Sequence, residues 1–324
     1  MKIVLFPGQG SQYVGMGKDI AHTSEVARRV FQEVDDCVGL PISLTMMEGD
    51  PELLRRTDYA QPAIFAVSVA LIRMLEEEGV SFSSTANFTA GHSLGEYSAL
   101  YAAGVFSVGD GARLLQKRAM LMQQVSDENS SGTMRAFLGI SAKELMPVVE
   151  HIRETEKPDL ICDLANDNSS QQVVLSGYKY DLDIVEHVLR TKHMTKCINL
   201  SVGGAFHSRL MDPVKPLFKE YVNNTIMHDP KIPVIMNTTS KPVISCDEIR
   251  DCMINQVCST VLWKDTVDYC VEQGVGTFIE IGPGKVISKM IARENAIKEK
   301  NCSVSSIQNI DDMKKFLSKH IQED

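Results

Sequence analysis

Apolar residues fall along this chain in two kinds of run. Residues 2 to 6 read as a short, fully buried strand, and the glycines of Gly8-Gln9-Gly10-Ser11-Gln12 then supply a tight turn. A later strand-like run, Gly276-Thr277-Phe278-Ile279-Glu280-Ile281, also closes in a glycine turn, Gly282-Pro283-Gly284. Between these lie longer segments with helical spacing: Pro62 to Glu78, Ser98 to Ala103, Ser107 to Val125 and Val214 to Val222. Continuously apolar strands closed by glycine loops and alternating with helices predict an α/β fold with a parallel sheet.

The stretch from about 127 to 200 has a different rhythm. A polar, linker-like run, Asp127-Glu128-Asn129-Ser130-Ser131-Gly132, precedes a strand over Met134 to Ile140 and a helix over Ala142 to Glu154. Strands over Leu160 to Leu164 and Gln172 to Ser176 follow, then a helix over Asp181 to Thr191 and a strand over Met194 to Leu200. The order βαββαβ is that of a ferredoxin-like unit. The expected organisation is a large α/β domain over residues 1–126 and 201–324 with a small ferredoxin-like domain, residues 127–200, inserted into it. An amphipathic helix, Asp312 to His320, closes the chain.

Composition narrows the functional classes. At 324 residues, 44% hydrophobic and 23% charged, the chain is globular in make-up. A net charge of -9 opposes a polyphosphate partner, so nucleic acid is excluded as the main ligand. No apolar run approaches the roughly 20 residues of a membrane span, and Pro7 interrupts any leader, so a cytoplasmic address is expected. The eight cysteines form no Cys-x-x-Cys pair and have no zinc-type histidine spacing, so they read as reduced thiols with no metal to hold.

Three segments carry candidate chemistry. Gly91-His92-Ser93-Leu94-Gly95 matches the G-x-S-x-G nucleophile elbow of α/β-hydrolase-like folds, with Asn87 to Ala90 as the strand before it and Glu96 to Ala103 as the helix after it. Such a turn exposes a serine hydroxyl at a helix N-terminus, where amide groups can bind developing negative charge. A nucleophilic serine needs a base. His92 should point away from its neighbour Ser93, and His151, His187, His193 and His320 lie in charged stretches where solvated surface is the ordinary outcome. His207 lies instead in the glycine-rich loop Gly203-Gly204-Ala205-Phe206-His207-Ser208, where it is either a base or a structural loop residue. Arg118 falls on the apolar stripe Leu114, Leu115, Leu121, Met122 and Val125, so its charge points inward. It either pairs with an internal carboxylate, the commoner outcome for a residue taken alone, or awaits one on a ligand. Arg113 and Lys117 fall off the stripe, on the surface.

Phe6-Pro7-Gly8-Gln9-Gly10-Ser11-Gln12, Gly91 to Glu96, and Ala205-Phe206-His207-Ser208 with Leu210-Met211, in this order, resemble the malonyl-CoA:acyl carrier protein transacylase family. The resemblance spans roughly residues 2 to 295 and includes Gly132-Thr133-Met134, Gln172 to Gly177, Gln256 with Val261-Leu262-Trp263, and Glu280 to Gly284. It implies Ser93 as the acylated nucleophile, His207 as its base and Arg118 as the partner of the malonyl carboxylate. It further implies the amides of Gln9 and Leu94 as the oxyanion hole, the main-chain carbonyl of Gln256 in place of a triad acid, and Phe206 crowding a 2-methyl branch. Asp163 and Asp167 stay as formal alternatives for that acid, and Asn166 and Asn168 match polar positions near the cleft. The implied activity is malonyl transfer from malonyl-CoA to the phosphopantetheine thiol of an acyl carrier protein of fatty-acid or polyketide synthesis, with no cofactor, by a monomer. Lys285, Lys289 and Arg209 are the expected carrier-docking charges. The alternatives are a serine acyl hydrolase of the same fold and a catalytically dead scaffold.

Overall fold

A computed structural model describes residues 1–191 and 196–320. A 6-stranded sheet has the order β11-β10-β1-β2-β7-β8, formed by β1 (Lys2–Phe6), β2 (Phe88–Gly91), β7 (Val234–Ile235), β8 (Pro242–Val243), β10 (Thr277–Ile281) and β11 (Ser303–Ile307). Every pairing in it is parallel except the terminal β7–β8 hairpin. Ile3, Val4, Leu5 and Phe6 are buried because helices cover both faces of the sheet, which is why this strand reads as one apolar run.

One helix departs from expectation. Thr57–Glu77 is long and apolar enough to cross a membrane, contrary to the sequence-based expectation that no such run exists. It is the core helix of the large unit, packed against the Glu25–Val38, Gly95–Ala102 and Val108–Glu128 helices, with residues such as Ala63, Phe65, Val67 and Leu71 fully enclosed. Its apolar residues surround the whole circumference because protein does too.

The second sheet, 5-stranded, has the order β6-β3-β5-β4-β9, from β3 (Gly132–Leu138), β4 (Cys162–Ser169), β5 (Gln172–Tyr178), β6 (Lys196–Asn199) and β9 (Val261–Leu262). With the Ala142–Thr155 and Lys179–Thr191 helices, the order βαββαβ of a ferredoxin-like unit is present. The hydrophobic side of this sheet closes on Phe137, Leu145, Val149, Leu175, Leu182 and Val185. Its outermost strand, β9, comes from far along the chain and pairs in parallel with β4 through Asn166↔Val261 and Asp167↔Leu262.

The polar run at 127 is only partly a linker. The Val108–Glu128 helix continues through Asp127 and Glu128, supported by i,i+4 bonds from Gln123 to Asp127 (2.8 Å) and from Gln124 to Glu128 (3.1 Å). The expected start of the last small-unit strand at Met194, and His193, lie outside the described residues, as does the side chain of His320. The final helix, Ile310–His320, packs on β11, a parallel edge strand that the sequence reading left unassigned.

Candidate active site

The site forms where β1 and β2 end, at the carboxyl edge of the parallel sheet. After β2 the chain turns through Gly91-His92-Ser93 into the Gly95–Ala102 helix. Both elbow glycines are required by close approach. A Cβ on Gly91 would stand 1.9 Å from the carbonyl carbon of Gly95, and one on Gly95 would stand 2.3 Å from the carbonyl oxygen of Phe6. The chain is thus folded against itself and against the end of β1, and Ser93 at the apex takes φ 52°. A left-handed non-glycine residue costs on the order of 1–3 kcal/mol, so it persists only where its surroundings over-determine it.

Those surroundings are two amide side chains. Asn237, just beyond β7, accepts the Ser93 N–H at 2.7 Å and donates to the Gly91 carbonyl at 2.6 Å. Its own N–H donates to the Glu96 carboxyl at 2.7 Å. Gln256, ending the Cys246–Gln256 helix, donates from Nε2 to the Ser93 carbonyl at 3.0 Å. The family resemblance pointed to Gln256 only through its main chain, took in Glu96 without a role, and did not reach Asn237.

Ser93 Oγ lies 2.8 Å from His207 Nε2, and His207 Nδ1 lies 2.9 Å from the Gln256 carbonyl oxygen. The carbonyl can only accept, so Nδ1 carries the proton and Nε2 is free to take one from the serine. Asp163 instead accepts from Arg209, and Asp167 faces Lys264 and Asp265, so neither formal alternative orients the imidazole. Burial, reinforced by the Arg118 charge, pushes the His207 pKa down to about 3. His207 also has positive φ, 57°. Of the other weighed histidines, His151 and His187 are exposed. His92 bonds Asn168 Oδ1 at 2.8 Å and lies against Trp263, in the wall of the cleft.

Arg118 is fully buried, and among the described residues it has no carboxylate at ion-pair distance, so the internal salt bridge is not made. Nη1 donates to Gln61 Oε1 at 2.8 Å; Nη2 donates to Gln256 Oε1 at 3.0 Å and to Ser93 Oγ at 3.1 Å. Burial holds its pKa below the usual arginine value. Glu96, also buried, is pushed up to about 8 and does not supply the missing charge at neutral pH. A buried cation whose hydrogen-bond partners are two amides and a hydroxyl, all neutral, is a strong electrostatic trap for an anion beside that hydroxyl.

The cleft above these groups encloses about 250 Å³ and is lined by Gln9, Met122, Asn166, Val202, Phe206 and Met290, among others. Phe206 is 4% exposed and adjoins the histidine. Gln9 leaves β1 in the loop beside the elbow, and Leu94 caps the Gly95–Ala102 helix, whose first amides turn back onto the elbow, Gly95 N–H to the His92 carbonyl at 2.9 Å and Glu96 N–H to the Ser93 carbonyl at 3.1 Å. The arrangement brings together a serine hydroxyl, an imidazole nitrogen able to take its proton and a buried cation hydrogen-bonded to the same hydroxyl oxygen. Lys289 is exposed, Lys285 stands 3.5 Å from Asp312, and Arg209 is engaged by Asp163.

Residues 3–321 match the acyl transferase domain family. The chain is 37% identical over 307 residues to a malonyl CoA-acyl carrier protein transacylase of Bacillus subtilis, covering 95% of this chain and 94% of the other. It is 32% identical over 311 residues to one of Staphylococcus aureus, covering 96% of each. Among solved structures, an acyl-carrier-protein-S-malonyltransferase of Bartonella henselae superposes with a TM-score of 0.90 at 35% identity, covering 98% of each chain. A malonyl-transacylase in complex with a type II polyketide synthase acyl-carrier protein superposes with a TM-score of 0.89 at 30% identity, covering 98% of this chain and 99% of the other.

Proposed function

The chain belongs to the acyl transferase domain family, and from that membership we propose that it moves a malonyl group from malonyl-CoA to the phosphopantetheine thiol of an acyl carrier protein, through an ester on Ser93. The carrying observation is Arg118, a buried guanidinium with neutral partners, 3.1 Å from the serine oxygen. Malonyl-CoA presents a free carboxylate a short distance from the carbonyl to be attacked. The carboxylate takes the guanidinium, and the thioester carbon comes to Ser93.

His207 Nε2 accepts the hydroxyl proton as Oγ attacks, and the tetrahedral oxyanion is held by the amides of Gln9 and Leu94. Collapse expels the coenzyme A sulfur, which receives the proton from the imidazolium. The phosphopantetheine thiol then gives its proton to His207, attacks the malonyl-serine ester and carries the malonyl group away. His207 and Ser93 return to their starting states, so the cycle balances without a cofactor. Phe206 narrows the pocket where a 2-methyl branch would lie.

The acceptor is an acyl carrier protein of fatty-acid or polyketide synthesis, and the enzyme works in the cytoplasm as a monomer. Residues 127–200 act as an inserted small domain, whose Met134, Asn166 and Val174 contribute to the wall of the cleft. Lys285 and Lys289, beside the Val286 rim of the cleft, offer charge to an acidic carrier, and Arg209 offers less because Asp163 holds it. A serine acyl hydrolase would share the elbow but gains nothing from a fixed carboxylate anchor. Measuring malonyl transfer against free malonate release, with and without carrier protein, tests the reading. Transfer that depends on the carrier supports it, and malonate release that ignores the carrier overturns it.

A further inference from the structure

Asp163, a formal alternative for a triad acid, stands one step behind the imidazole, bonded to Arg209. It accepts the main-chain N–H of Arg209 at 2.9 Å, and its two oxygens also take Arg209 Nε, at 2.9 and 3.1 Å, and Nη2, at 2.5 Å. Arg209 follows His207 by two residues. The carboxylate therefore grips both the backbone and the side chain of the loop that carries the imidazole.

Two features give this grip a purpose. His207 holds a left-handed backbone, φ 57°, in a loop that is not part of either sheet. His207 also borders two spaces: the cleft over Ser93, and a separate groove of about 560 Å³ lined by Asp163, Arg209, Cys258 and Thr260. A strained loop beside an open groove has somewhere to relax to. Asp163 lies on β4, and β4 also fixes the imidazole's acceptor: Thr260 Oγ1 donates to the Leu164 carbonyl at 2.6 Å, and β9 beyond it pairs with β4 shortly after Gln256. One strand thus holds the loop bearing His207 and the segment bearing its carbonyl partner.

We propose that Asp163, acting through Arg209, is a positioning residue that holds His207 in line with Ser93. The proposal rests on the malonyl-transfer reading. Arg209 is 52% exposed, so the charge attraction alone is worth little in water. The bidentate fork and the added N–H bond supply geometry, and a displacement of about 1 Å at a catalytic group can cost up to about 10²-fold in rate.

The test is single-turnover malonylation by malonyl-CoA, followed by intact mass, which gives a rate constant and an amplitude for each variant. Asp163→Ala is expected to lower the rate constant about 10-fold at an unchanged amplitude of one malonyl per chain and an unchanged dependence on malonyl-CoA concentration. Asp163→Asn, which still accepts the Arg209 N–H, should lose less, and Arg209→Ala added to Asp163→Ala should cost little more. An unchanged rate constant overturns the proposal. So does a reduced amplitude at the wild-type rate, the mark of partial unfolding, and so does an Arg209→Ala defect confined to the carrier-protein step, the mark of docking. Absence of any adduct on the wild-type chain would overturn the malonyl reading itself, and this proposal with it.

Discussion

The guanidinium of Arg118 donates to the hydroxyl oxygen of Ser93 at 3.1 Å, so on the proposed mechanism the group that would recognise the substrate also touches the group that would attack it. An arriving carboxylate would compete for that donor and leave His207 as the hydroxyl's main partner. Arg118→Ala should therefore cut malonyl transfer by about 10²-fold or more, while acetyl transfer stays equal or improves. Steady-state kinetics with the two thioesters decide it; parallel losses would mean a purely structural arginine.

The wild-type chain should gain a single malonyl adduct by intact mass, and Ser93→Ala should abolish it. His207→Ala should slow both half-reactions by about 10²- to 10⁴-fold, the usual worth of a general base. An adduct that persists in Ser93→Ala would place the nucleophile elsewhere.

Acidity gives a sharper check. With His207 at about 3, the imidazole is neutral throughout the ordinary range, so the acylation rate should stay level from pH 7 down to pH 5. An unperturbed histidine would instead give a limb near 6.5. In stability the sign is that of a depressed pKa: the contribution is full above pH 6.5 and is lost as pH falls towards about 3. Glu96, at about 8, has the opposite sign, with a contribution full below pH 4.5 and lost as pH rises through about 8. Glu96→Gln keeps an acceptor for the Asn237 N–H and should remove a loss of at most about 2 kcal/mol between pH 6.5 and 8. Thermal melts of the two proteins across that interval measure it.

Asn237→Ala removes the acceptor of the Ser93 N–H and should destabilise the fold by about 1–3 kcal/mol. Because the same bond holds the strained apex, turnover of the folded fraction should fall as well. A stable variant with full turnover would show that Gln256 and the glycine contacts suffice.

Parts of this site can be read from letters because they break a pattern. Gly91 and Gly95 are forced by contacts of 1.9 and 2.3 Å, and no other residue type would fit, so the elbow is visible as spacing. Arg118 is visible as a charge on an apolar stripe. Asn237 is not, because it follows a strand of 2 residues, Val234–Ile235, too short to show any period. Gln61 lies in a helix apolar on all sides, where a single amide reads as a chance polar residue rather than as the holder of a guanidinium. The Glu25–Val38 helix, by contrast, carries a regular stripe, Ala27, Val30, Phe31 and Val34, that its sequence displays. Asp163 sits in the neighbourhood the sequence suggests, but its bonds go to Arg209 and not to the imidazole.

Charge at the rim makes a separable prediction. Lys289→Glu should raise the apparent KM for carrier protein and flatten its salt dependence while self-malonylation proceeds nearly unchanged. Lys289 is the cleaner site, since reversing Lys285 would also set it against Asp312. Equal losses in both half-reactions would place the lysine on coenzyme A or in the fold.

Ser93 and His207 stand 114 residues apart, with the whole βαββαβ unit between them, and the carbonyl that accepts from His207 comes 49 residues later still. A chain leaving the ribosome therefore presents its serine long before anything can activate it. The last sheet neighbour of β1, β10, arrives later again. A nascent or truncated chain ending before Gln256 has the elbow but neither brace for its apex from that helix nor an acceptor for His207, and so would not load malonyl groups. On this geometry the loading of malonyl groups would begin only once synthesis has passed Gln256.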